Sequence, residues 1–160
     1  MDGLTLLRRA QDAGLAVDVD GNTLVIRGPR RAEPVARLLL DHKPVVISAL
    51  MADWRAGHRK ALAYWSAFRP SAEAAALAWG EIQLRWHRLH GARSPAWQCA
   101  GCRSPIGGRT ALDLADGNRV HLDGLDCVLR FGERWRREAT AGLRALGLNP
   151  PADSESGTGT

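Results

Sequence analysis

Long apolar runs are missing from this sequence: nothing in it approaches the ~18 consecutive apolar residues that cross a bilayer. The opening stretch, Met1 to Gly14, is no substitute, because Asp2, Arg8, Arg9 and Asp12 interrupt its leucines. It reads as an amphipathic helix, not as a secretory apolar segment. No membrane partner is expected, and a cytoplasmic location is. Lysine is nearly absent, with Lys43 and Lys60 alone beside twenty arginines, and no basic run exists. The formal charge of +5 is therefore mild and spread out. Residues 1–50 carry seven basic and six acidic side chains, residues 51–98 seven and three, and residues 99–148 eight and six. Catalytic groupings are scarce too. The single tyrosine, Tyr64, and Ser104 stand without a base in the local sequence, and Gly107-Gly108-Arg109 lacks the G-x₄-G-K-[ST] pattern of a phosphate loop. These absences argue against an enzyme.

Cysteine is the scarce residue that carries information. There are three, an odd number that suits a metal or free thiols better than a disulfide framework. Cys99-Ala-Gly-Cys102 is a C-x₂-C pair, and His121 and Cys127 follow within about thirty residues. Three thiolates and an imidazole complete a tetrahedral shell for structural Zn²⁺ and leave no open position for water. A helix beginning near Cys127 favours its thiolate, because free N–H groups and the helix dipole stabilise negative charge. Trp97 and Ile106 are expected to shield the ion. A rival shell would pair Cys99 and Cys102 with His87 and His90, three apart on a helix. In a third reading the cysteines are small buried hydrophobes and bind nothing. A redox dithiol is disfavoured, since no βαβ context surrounds the pair. Asp113, Asp116, Asp123 and Asp126 read as turn, cap and surface residues, with Asp126 as a helix cap.

The composition, 45% hydrophobic and 24% charged, is that of a globular protein, and the chain divides into three segments and a tail. In residues 1–51, Leu4, Leu6, Leu7 and Ala10 recur at helical spacing before Gly14. Two β-rich runs follow, Leu15–Val19 and Thr23–Arg27, joined by Asp-Gly-Asn as a hairpin and ended by Gly28-Pro29. A helix around Val35 to Leu39 precedes a short one, Val45 to Leu50, with Pro44 in its first turn. Residues 52–93 are helical: one helix from Trp54 to Phe68, then another capped by Ser71 with Ala75, Trp79, Ile82, Trp86 and Leu89 along its buried face. In residues 94–148, two short strands, Thr110–Leu114 and Arg119–Leu122, meet at Asp116-Gly117-Asn118, and a helix runs from Asp126 to about Leu146 until Gly147. Residues 149–160 read as a disordered tail.

The first fifty residues resemble the N-terminal docking domain of TubC-type megasynthase subunits. The matching positions are Leu7, Gly14, Val17, Gly21, Leu24, Gly28-Pro29, Leu39-Leu40 and the ending His42-Lys43-Pro-Val-Val-Ile-Ser-Ala-Leu50. That resemblance implies an αββαα fold that self-associates and accepts a short linear motif of a partner on its hairpin. The order knuckle, hairpin, histidine, then cysteine at a helix start resembles a treble-clef zinc finger. The later part of the chain, with Gly132-Glu-Arg-Trp135-Arg and Ala145-Leu-Gly-Leu148, is similar to uncharacterised bacterial and phage-associated proteins of mobile-element neighbourhoods.

The expected architecture is thus α+β: a docking-like αββαα module, a helical region and a treble-clef-like zinc module. The expected function is a non-enzymatic adaptor. Its protein-docking residues would be Val17, Val19, Leu24, Ile26, Arg27 and Arg30, receiving an acidic motif. The alternative is nucleic-acid binding, with Arg130, Arg134 and Arg137 on phosphates.

Overall fold

The computed structural model describes residues 1–152. Of the predicted disordered tail, residues 153–160 lie outside the described residues. Mixed helices and two small antiparallel sheets form the α+β fold: α1 (Gly3–Asp12), β1 (Ala16–Asp20), β2 (Thr23–Arg27), a 3₁₀ turn (Arg30–Ala32), α2 (Glu33–Asp41), α3 (Lys43–Ser66), α4 (Ser71–His90), β3 (Ala111–Asp113), β4 (Arg119–His121) and α5 (Asp126–Ala145). Among the described residues no helix is long and apolar enough to cross a membrane.

Helix α1 starts where Asp2 accepts hydrogen bonds from the Thr5 N–H (2.9 Å) and hydroxyl (2.7 Å), satisfying one of the free donors of its first turn. Its buried side is Gly3, Leu6 and Ala10, four residues apart or nearly so, while Leu4 points to solvent. The β1–β2 hairpin pairs Val19 with Leu24 and Val17 with Ile26 across a two-residue turn, and Gly21 takes the positive φ (57°) that the first position of a type II′ turn requires.

Beyond the hairpin the helices depart from the expected boundaries. Instead of two helices separated near residue 52, α3 runs unbroken from Lys43 to Ser66. Pro44 sits in its first turn, as expected, and Met51-Ala-Asp-Trp54 contains neither glycine nor proline to stop it. Val46, Ile47, Trp54 and Ala61 bury one stripe of it. Ser71 is the first residue of α4 and does not cap it; Pro70 holds the cap position, with no side-chain hydrogen bond. The buried face of α4 is also rotated from the expected stripe. It comprises Ala74, Ala78, Trp79, Ile82, Gln83 and His87, with Leu89 exposed. The cause is that α4 packs against α3 on one side and α5 on the other. Gln83 donates its side-chain amide to the Thr140 hydroxyl (2.9 Å) and the Arg136 carbonyl (3.3 Å), so the rotated face carries a satisfied polar residue.

Two cores result. The larger draws Leu6, Leu24, Leu39, Val46, Trp54, Trp79 and Ile82 together with Leu143, Leu146 and Leu148 from the far end of α5. That end closes in a Schellman motif: the Leu148 N–H donates to the Leu143 carbonyl (3.0 Å) and the Gly147 N–H to the Arg144 carbonyl (2.9 Å), with Leu143 and Leu148 both buried. The smaller core consists of Cys99, Ala100, Ile106, Val120 and Phe131.

Candidate metal centre

The smaller core surrounds the cysteines. Cys99 and Cys102 occupy a tight turn closed by an antiparallel bridge between Gln98 and Pro105. The Cys99 N–H donates to the Ser104 carbonyl and the Arg103 N–H to the Cys99 carbonyl, each at 2.8 Å. Arg103 has φ of 63° and is the only non-glycine with positive φ among the described residues, because the chain doubles back directly after Cys102. The Ala100 N–H reaches the Arg119 carbonyl (2.7 Å), tying the turn to β4, which ends at His121. The five residues between His121 and Cys127 are held by a Leu122 N–H to Thr110 carbonyl bond (2.9 Å) and by an ion pair of Asp123 with Arg109. Cys127 is the second residue of α5; Asp126 opens that helix, and the cap position is Leu125, so Asp126 is not the cap.

The ligand atoms of Cys99, Cys102, His121 and Cys127 all lie within 4.8 Å of one another. His121 Nδ1 is 3.4 Å from Cys102 Sγ and 3.8 Å from Cys127 Sγ. Tetrahedral bonds of the length zinc makes to sulfur and nitrogen would place ligand atoms about 3.5–3.8 Å apart, so the set fits an ion at its centre. The surroundings also suit one. His121 Nε2 lies 3.2 Å from the Pro105 carbonyl, which fixes the proton on Nε2 and leaves the Nδ1 lone pair facing the sulfurs. The His121 backbone N–H donates to Cys99 Sγ (3.4 Å). The Cys102 thiol is lowered to about 6, chiefly by the Ser104 backbone N–H. Burial pushes Cys127 up to about 11, and the neighbouring sulfurs of Cys102 and Cys99 add to it. Three thiolates this close repel one another until a cation sits between them.

Close packing holds Cys127 in place. A Cβ on Gly101 would meet the Cys127 carbonyl oxygen at 2.3 Å and its Cα at 2.6 Å, so only glycine lets the turn press against α5. Arg134, two turns further along α5, donates to the Ala100 and Gly101 carbonyls and clamps the same turn. Ile106 shields the centre as expected, but Trp97 does not: 62% of it is exposed.

The other predicted residues are placed differently. His87 and His90 stay apart from the cysteines: His87 Nε2 is 2.6 Å from Asp116 Oδ2, and His90 Nε2 is 2.8 Å from Asp18 Oδ2. Of the docking residues, Val19 and Leu24 are buried in the larger core, and Val17 and Ile26 are half-buried against it. Arg27 and Arg30 are exposed. Arg130 and Arg137 are exposed on α5, whereas Arg134 has the structural task described above. Sequence reasoning missed the Arg134 clamp and both histidine–aspartate pairs; the only local hint was that His87 and His90 flank a buried helix face. The chain matches no protein-family description, no curated protein and no solved structure to which it was compared.

Proposed function

We propose that the protein is a non-enzymatic adaptor. A structural Zn²⁺ on Cys99, Cys102, His121 and Cys127 stabilises a treble-clef-like module, and the docking-like αββαα start captures a short acidic segment of a partner protein. The observation that carries the docking reading is the edge of β2. The hairpin is a two-stranded sheet, and β1 is the strand that packs against α1 and α3. The type II′ turn makes Asp20–Thr23 a hydrogen-bonded pair, so the alternation of the ladder turns the N–H groups of Leu24 and Ile26 away from β1. With Val19 and Leu24 facing the core, recognition would run through this backbone edge by strand addition, with the exposed Arg27, Arg30 and Arg31 beside it selecting acidic side chains. The same edge would serve self-association.

Truncation at residue 51 is a poor test, since it cuts α3. Ile26→Pro is better: it removes one outward N–H and leaves the ladder to β1 intact. Affinity-purified zinc-loaded chain should recover a partner that the Ile26→Pro chain loses, while circular dichroism of the two matches. Equal recovery by both would end this reading. The nucleic-acid alternative rests on Arg130 and Arg137, since Arg134 is committed to the knuckle.

A further inference from the structure

Over its first turns α5 has two sides. Cys127, Val128 and Phe131 pack into the small core. Leu125, Asp126, Leu129, Arg130 and Glu133 are exposed. Two of these are large apolar side chains: Leu125, in the cap position, is 70% exposed and Leu129 58%. The Leu129 N–H donates to the Leu125 carbonyl (2.9 Å), so the two stand one turn apart as a short apolar stripe. Leu122, in the loop that leads to the helix, is exposed as well. A single surface leucine needs no explanation, whereas neighbouring ones mark an interaction surface. Beside the stripe lie Asp126 and Arg130, also one turn apart. At that spacing a carboxylate and a guanidinium of one helix can pair with each other. They do not, and neither has another polar partner among the described residues.

We propose that this face binds a second copy of the chain, α5 against α5, antiparallel about a two-fold axis. Such an axis brings a surface against itself, so the surface has to be its own complement. This one is. With the axis at the level of Val128, Asp126 of each copy comes level with Arg130 of the other, because the two positions lie equally far, about 3 Å along the helix, on either side. The same operation keeps each flank of the helix on its own side, so the Leu125–Leu129 flank of one copy lies along the same flank of the other. Ion pairs then border an apolar seam. The charges fix the register, since leucines alone would tolerate sliding. Glu133 comes level with Asp123 of the second copy, whose charge Arg109 already balances. A nucleic acid suits the face less well, because Asp126 and Glu133 would repel its phosphates. A helix of another protein would leave the two-fold placement of Asp126 and Arg130 without a cause. The face is separate from the β2 edge.

Sedimentation equilibrium of the zinc-loaded full chain should show a reversible monomer–dimer equilibrium in the micromolar range. Leu125→Asp with Leu129→Asp should weaken it about tenfold or more, as expected when charges replace leucines that association buries. Both leucines are exposed in the single chain, so zinc content and circular dichroism should stay as they are. Charge exchange tests the register. Asp126→Arg alone and Arg130→Asp alone each set like charges opposite one another and should weaken association by a similar factor. Mixed together, these two variants should associate again as a heterodimer, because each supplies the charge that the other lacks. Recovery on mixing is a result that a folding or zinc-binding defect does not produce. Ile26→Pro, which alters the β2 edge, should leave the dimer as strong as before. A chain that stays monomeric to high micromolar concentration would overturn the proposal. So would a dimer that is indifferent to the leucine changes or lost with Ile26→Pro, or charge variants that fail to recover when mixed.

Discussion

The larger core buries Leu6, Leu39, Val46, Trp54, Trp79 and Leu143 among others, whereas the core behind the knuckle fully buries Ile106, Val120 and Phe131 beside Cys99 and Ala100, with Leu114, Val128 and Trp135 partly buried against it. Each closes its backbone differently. The first is built from long helices whose hydrogen bonds are internal, and apolar burial supplies its stability at about 25 cal/mol per Å². The second is built from turns and three-residue strands. A region with so little apolar surface of its own gains little against chain entropy, and small modules of this kind commonly add a metal. The difference teaches where the four ligands matter. A metal on them would hold together the part of the chain with the fewest other means, and α5 spans both regions, with Cys127 in its first turn and Leu143 in its last.

Zinc removal should give the largest effect and break the comparison most directly. Structural zinc sites in small modules bind with about 10–16 kcal/mol, and that free energy is folding free energy. A strong chelator, or Cys127→Ser, should abolish amide-exchange protection in the β3–β4 hairpin and the knuckle while α1 to α4 stay protected. Thiols must lose their protons to bind the metal, and burial holds the Cys127 thiol up, so zinc affinity should fall as the pH is lowered, with Cys127 rather than Cys102 as the ligand most readily reprotonated. Protection that survives the chelator would mean that the small core stands without metal.

Leu143→Ala tests the other side. Leu143 is fully buried in the larger core, and truncating such a leucine costs about 2–5 kcal/mol. It lies sixteen residues from Cys127, about 24 Å along the helix. Denaturant unfolding should report the loss, and competition with a chromophoric chelator should report unchanged zinc affinity. A matching fall in zinc affinity would show that α5 transmits strain between the two regions.

How far these regions were legible in the sequence follows the same division. Local chemistry was readable. Gly14 and Gly147 ended helices, Asp-Gly-Asn marked both hairpin turns, and the strand positions of β3 and β4 agreed to within one residue. The gathering of Cys99, Cys102, His121 and Cys127 was readable because C-x₂-C spacing limits geometry locally. What failed depended on partners distant in sequence. The burial of α4 turned toward α5, which no window over residues 71–90 contains. Val19 and Leu24 satisfied a docking pattern and a core pattern equally, and only the helices beneath decide between them. Trp97 was expected to cover the ion, but its own turn sends it outward. His87 and Asp116 are 29 residues apart, and neither signals the other.

Gly101→Ala should cost less than either change above and sharpen the comparison inside the small core. The new methyl would collide with the Cys127 backbone, which cannot swing aside as a side chain does. Overpacking of this kind costs about 1–3 kcal/mol. The expected readout is weaker zinc affinity with the helical signal retained. Unchanged affinity would show that the turn slides along α5, and that the observed contact is not what holds Cys127.

The smallest effect concerns the surface ion pair between Arg119 and Asp113, which bridges β3 and β4. It sits directly on the hairpin that carries His121, and a region poor in apolar contacts invites the idea that charge holds it. Exposure argues otherwise: the Arg119 side chain is 36% exposed and that of Asp113 77%. Water screens a pair so placed, and ordering two flexible side chains offsets part of the attraction, leaving about 0–1 kcal/mol. Asp113→Asn should therefore shift the unfolding midpoint of the zinc-loaded hairpin barely at all, and raised salt should do no more. If instead either change released the metal, the small core would rest on surface charge as much as on its ligands, and the contrast with the apolar core would have to be redrawn in those terms.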